Sequence, residues 1–120
     1  RQMCAAPGCG VMTEYQHLQA ALPALFPARN RIVAGISRAT IVVEAKAKGG
    51  ALITAELAGG YNREVFAVPG RISDPCSAGC NALIRRNKAI ITDDPQVIIE
   101  ELALACENSR SNDFVRTTFQ

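Results

Sequence analysis

Thr40-Ile41-Val42-Val43-Glu44-Ala45-Lys46-Ala47-Lys48-Gly49-Gly50-Ala51-Leu52-Ile53-Thr54-Ala55 changes character twice along its length. Thr40 to Ala45 is a β-branched run and reads as a buried strand. Ala47 to Gly50 is a glycine-bearing loop. Ala51 to Ala58 has the residue types of a helix, which Gly59-Gly60 ends. The same alternation recurs downstream. Glu64-Val65-Phe66-Ala67-Val68 is the next strand, closed by a Pro69-Gly70 turn, and Arg71 to Ala78 is loop. Gly79 to Asn87 suggests a helix, Ala89 to Thr92 a strand, and Pro95 to Cys106 a helix with proline in its first turn. Upstream, Val11 to Tyr15 reads as a short strand, and residues 16–28, with Pro23 and Pro27, as a loop. Arg29 to Ser37 reads as a short helix, because Ile32, Val33 and Ile36 fall at helical spacing.

Alternation of this kind predicts an α/β fold with a mainly parallel sheet, and right-handed crossovers place helices on both of its faces. The core must be aliphatic: the 120 residues include no Trp, four Phe and two Tyr. A content of 48% hydrophobic and 20% charged residues excludes a disordered chain. Residues 107–120 are polar with little pattern and read as a tail or interdomain linker.

The net charge of +2 does not by itself identify a nucleic-acid binder. The basic residues are nevertheless uneven. Arg29, Arg31, Arg38, Lys46 and Lys48 form one group, and Arg85, Arg86 and Lys88 another. No apolar run reaches the roughly 20 residues that span a bilayer. The chain opens on Arg1 rather than Met, with no signal-peptide pattern, and points to sequence upstream. Five cysteines and no secretion signal predict free thiols in a reducing compartment. The Cys4/Cys9 and Cys76/Cys80 spacings are looser than those of zinc-knuckle pairs.

Ligands of open α/β sheets bind beyond the carboxyl ends of the strands. That rule selects residues 45–50, residues 68–79 and the segment leading from Tyr15 into Arg29. In the last of these, Arg29-Asn30-Arg31 opens the predicted helix. Helix N-termini carry unpaired N–H groups and partial positive charge, and arginine adds a planar fork suited to phosphate. The plainer reading pairs one arginine with a carboxylate and leaves the other solvated. In the glycine loop, backbone N–H groups can approach a phosphate, with Lys46 and Lys48 adding charge. It is neither a Walker A loop nor the dinucleotide fingerprint, and a Gly-Gly pair before a helix also serves as a plain turn.

Catalytic sets are poorly supported. His17 is the lone histidine, Cys80 has no base to activate it, and Glu14, Glu44 and Glu56 sit on separate elements.

Taken in order, five segments resemble the DNA-processing protein A (DprA/Smf) family. They are Arg29–Ser37, Ile41–Ala45, Gly50–Ala55, Arg63–Gly70 and Gly79–Ile84, and the match runs from about Gly10 to Ile99. The resemblance implies an extended Rossmann-like fold, here over residues 1–106 with its amino-terminal part missing. It implies a cytoplasmic homodimer without enzymatic activity or cofactor. Such a protein binds and protects single-stranded DNA and helps load the RecA recombinase during natural transformation. It also implies that Arg29, Asn30 and Arg31 line a DNA-phosphate pocket, with Lys48, Gly49, Gly50 and Ala51 opposite and Phe26 offering an aromatic face. The chain departs from the family in lacking the upstream Gly-Ser-Arg wall. It also has Lys48-Gly49-Gly50-Ala51 where the family has Ser-Gly-Ser.

Two rivals stand beside this reading. One is an enzyme: a glycine pair followed by Thr54 and Glu56 loosely resembles nucleotide phosphoribohydrolases, with the wrong spacing and a missing glycine. The other is a module for dimerisation and recombinase docking.

Overall fold

A computed structural model describes residues 5–16 and 20–118. Among these residues, seven elements follow one another: α1 (Leu25–Ile36), β1 (Ala39–Val42), α2 (Gly50–Gly60), β2 (Glu64–Ala67), α3 (Ala78–Arg85), β3 (Ile90–Ile91) and α4 (Pro95–Thr118). The three strands form one parallel sheet in the order β1-β2-β3. Ala39 pairs with Glu64 and Val42 with Ala67, and Phe66 pairs with Ile90. The fold is therefore α/β with a parallel sheet, as the alternation predicts.

Each strand adds beside the one before it. Right-handed crossovers in a constant direction put α2 and α3 on the same face of the sheet. The core agrees. Ala55 and Ala58 of α2 and Cys80 and Leu83 of α3 are buried in one cluster with Val42, Val65 and Ala67. Phe66 points to the other face, since side chains alternate along a strand. It lies outside that cluster yet is 0% exposed, so the second face is covered at its centre.

Helices α2 and α3 both end on asparagine. Asn62 (φ 57) and Asn87 (φ 54) adopt the left-handed conformation. Asn62 N–H donates to Gly59 O at 3.1 Å and Arg63 N–H to Ala58 O at 2.9 Å. After α3, Asn87 N–H donates to Ile84 O at 3.0 Å and Lys88 N–H to Leu83 O at 2.9 Å. Both are Schellman closures, which satisfy the last carbonyls of a helix. Gly59 and Gly60, expected as the stop, are instead the last two helical residues.

Four expectations about elements are corrected. Val11 to Tyr15 forms no strand: it has no ladder partner, and Val11 and Met12 are 74% and 70% exposed. Helix α1 begins at Leu25, not Arg29. Pro27 does not oppose this, because it occupies the first turn, where its missing N–H costs no bond. The strands are shorter than expected, β3 being two residues. Helix α4 continues through residues 107–118, which contain neither Gly nor Pro to stop it.

Among the described residues, no helix is long and apolar enough to cross a membrane.

Candidate nucleic-acid interface

Helices α1 and α2 pack on each other. Their carboxyl ends meet: Arg63, just past α2, donates from its guanidinium to Gly35 O at 3.0 Å, and the Tyr61 ring lies over Gly35. Both helices also run against β1, since α1 reaches the start of that strand through Ser37 and Arg38 and α2 leaves from the loop at its end. The first half of α1, with Phe26, Arg29, Asn30 and Arg31, therefore lies at the same end of the molecule as the Lys48-Gly49-Gly50-Ala51 start of α2. That end is the one where β1 finishes.

Because α1 starts early, Arg29 to Arg31 lie in its second turn rather than at its N-terminus. The helix-end argument does not apply to these residues, and what remains is their charge and hydrogen-bonding capacity. The Arg29 guanidinium sits 5.8 Å from the Phe26 ring centroid and donates to Asn30 Oδ1 at 3.3 Å. Phe26 is 52% exposed, so this cation–π pair displays both an aromatic face and a charge to solvent. Arg31 is ion-paired with Glu14, as the plainer reading of the segment anticipates. The pair is exposed on both sides, and guanidinium has five donors, so Arg31 keeps the capacity to bind a second anion.

The α2 terminus differs. Gly49 is its N-cap and supplies no side-chain cap, and the first turn contains no acidic residue. Leu52 N–H donates to Gly49 O at 3.1 Å, which leaves the leading N–H groups of Gly50 and Ala51 without an intrahelical partner. Lys46 and Lys48 are exposed beside them. A tight turn, Gly49 N–H to Lys46 O at 3.0 Å, shapes the approach. This end combines orphan amides, dipole and cationic side chains, which is the composition of an anion site.

On the other flank of the same loop, a groove of about 630 Å³ opens between α2 and α3, walled by Ala47, Leu52, Gly70, Ile72 and Asn81. Asn81 is engaged: its amide donates to Gly70 O at 3.0 Å and accepts from Gly70 N–H at 3.1 Å. Gly70 is required there, since a Cβ would meet Ser77 Cβ at 2.4 Å. The strand-end rule selects residues 45–50 and 68–79, which supply Ala47, Gly70 and Ile72, while Leu52 and Asn81 come from the predicted helices, and no motif announces the groove between them.

The candidate catalytic groups do not converge. Glu56 pairs with Lys88 at 3.1 Å on the surface, Glu14 pairs with Arg31, and Glu44 faces Cys76. The hydrogen bond to Glu44 pushes the Cys76 thiol up, with desolvation, Glu44's charge and Asp74's adding to it and Lys46 opposing. Burial pushes the Cys80 thiol up, and it is 0% exposed, with Sγ 3.5 Å from Val42 O. A protonated, inaccessible thiol is no nucleophile. Cys4 and His17 lie outside the described residues. Among those described, no group of three His, Cys, Asp or Glu side chains could hold a metal.

The profile of the DNA recombination-mediator protein A family matches residues 2–103. The chain belongs to this family. The DNA processing protein DprA of Streptococcus pneumoniae is 46% identical over 90 residues, 75% of this chain and 32% of that protein. Protein Smf of Escherichia coli is 47% identical over 77 residues, 64% of this chain and 20% of that protein. The X-ray structure of the S. pneumoniae DprA superposes with a TM-score of 0.69 at 45% identity, over 73% of this chain and 31% of that one. A Helicobacter pylori DNA processing protein A, described for its unique single-stranded DNA binding mode, superposes with a TM-score of 0.68 at 30% identity. That superposition covers 77% of this chain and 42% of the H. pylori one. The chain thus spans about a third or less of these curated DprA/Smf relatives.

Proposed function

We propose that this part of a DprA/Smf protein binds single-stranded DNA through its phosphates and does no chemistry on it. The observation that carries the reading is the shared end of α1 and α2. Arg29, Asn30, Arg31 and the exposed Phe26 lie at the same end as Lys46, Lys48 and the uncapped start of α2. Phosphates are met by arginine, lysine and backbone N–H groups, while bases stack on side chains or face solvent. With one exposed aromatic ring in this set, charge carries more of the binding than stacking. In the cell, the same contact would serve to protect incoming strands and to present them to RecA in natural transformation.

Fluorescence anisotropy with labelled oligothymidine tests this. The chain should bind at low salt and lose affinity steeply as salt rises, because each phosphate engaged contributes about 0.7 to the slope of log K against log salt. The Arg29→Ala/Arg31→Ala variant should flatten that slope and weaken binding at least tenfold. A folded chain that binds no oligothymidine at low salt refutes the proposal for this segment.

A second reading, association with another copy or with the recombinase, draws on a different observation. Ile41 and Ile91, on the two edge strands, are 47% and 55% exposed, and Ile72 is fully exposed. Apolar residues on strand edges favour pairing with another chain. The phosphoribohydrolase-like alternative has no such support, since Glu56 is tied to Lys88 in an exposed ion pair.

A further inference from the structure

Helix α3 begins against the stretch of backbone that leads into the glycine loop. Gly79 N–H donates to Ala45 O at 2.8 Å, and Ala45 N–H donates to Cys76 O at 3.0 Å. A Cβ built on Gly79 would lie 2.6 Å from both Ala45 O and Lys46 O. Both are main-chain atoms, so no rotamer change relieves the clash. Gly79 is buried and Ala45 is 6% exposed, so the contact is sealed. Lys46 O meets Gly79 on one side and accepts Gly49 N–H at 3.0 Å on the other. One carbonyl thus links the first turn of α3 to the turn that launches α2.

The glycine pair does not supply this restraint itself. A Cβ at Gly50 would meet nothing within 4 Å, and one at Gly49 would be no closer than 3.4 Å to any neighbour. The crowding comes from across the sheet's carboxyl end.

We infer that Gly79 is a positioning residue for the loop at Lys48–Ala51, its close approach to Ala45 O and Lys46 O holding that loop's amides and Lys48 in place for a nucleic-acid phosphate. The inference rests on the single-strand reading of that loop. Orphan amides bind an anion only when they point at one spot. Rotating the Lys46 peptide to admit a methyl group would break the Gly49 turn and scatter them.

The test compares the unsubstituted 120-residue chain with Gly79→Ala and with Gly60→Ala, whose added Cβ meets nothing within 4 Å. Amide chemical shifts, thermal melting and the salt dependence of oligothymidine anisotropy are read on each. Gly79→Ala should move the resonances of residues 46–51. It should weaken binding at least tenfold at low salt and flatten the salt slope by about 0.7 for each phosphate it no longer engages. Gly60→Ala should change neither shifts nor slope. A lower melting temperature in Gly79→Ala, with loop shifts and salt slope unchanged, overturns the inference.

If Gly79→Ala does not fold, hydrogen exchange on the unsubstituted chain decides. The Gly79 and Gly49 amides should share one protection level, and a protected Gly79 with a freely exchanging Gly49 overturns the inference. Failure of the unsubstituted chain to bind at any salt sinks the single-strand reading and, with it, the phosphate as ligand. The shift and exchange data still decide whether Gly79 positions the loop.

Discussion

Arg31 is where the sequence and the structure pull in different directions. The proposed reading makes it a phosphate ligand, yet Glu14 already holds it. The pair is 52% and 42% exposed on its two sides, and such pairs contribute about 0.2–1 kcal/mol. A carboxylate beside the site also repels an incoming phosphate. Glu14→Gln should therefore tighten oligothymidine binding by up to about fivefold, the same energy expressed as an equilibrium constant, and should steepen the salt slope. Titration of the variant against the unsubstituted chain checks this, and unchanged affinity would mean that Arg31 takes no part. That Arg29, Asn30 and Arg31 sit together on one helix was legible in the sequence, because they are consecutive in a stretch of helical spacing. The Glu14 partner was not, because it lies 17 residues away on a segment read as a strand that does not form.

Among the elements, the sequence located β1 to β3 and α1 to α4 but misplaced their ends, and it added a strand at Val11 to Tyr15 that does not form. The miss at α1 mattered most. Two prolines suggested a loop, whereas the first turn of a helix tolerates Pro27, so Leu25 to Ala28 became helix and moved the arginines off its end. The helix stops were misread for a related reason. Glycine is the first choice for a left-handed residue, and Gly59-Gly60 drew attention, while Asn62 and Asn87 adopt that conformation. A residue other than glycine or asparagine is more strained there, by about 1–2 kcal/mol. Asn87→Ala should lower unfolding stability by roughly 1 kcal/mol, and Asn87→Gly should leave it unchanged or raise it. Urea denaturation of both variants distinguishes them, and equal stability of Ala and Gly would dismiss the account.

Among the described residues, the buried side chains are small or mid-sized: Ala34, Ala45, Ala55, Ala58 and Ala67 lie beside Val42, Val65, Leu83 and Cys80. Close approach at Gly79 and Gly70 adds to this packing. Phe66 is the exception, and Phe66→Ala should cost about 3–5 kcal/mol, a large share of the roughly 5–15 kcal/mol that holds a typical domain together. Loss of the cooperative thermal transition is the expected result, and a melt within a few degrees of the unsubstituted chain would refute it.

The strand order β1-β2-β3 has a consequence for how the chain is made. Among the described strands, none has to be threaded between two that are already joined. As the polypeptide leaves the ribosome, β1 and β2 can pair once α2 has emerged, and β3 is laid on the open side afterwards. Assembly of these three strands can therefore follow the order of synthesis, each ply completed from residues already made.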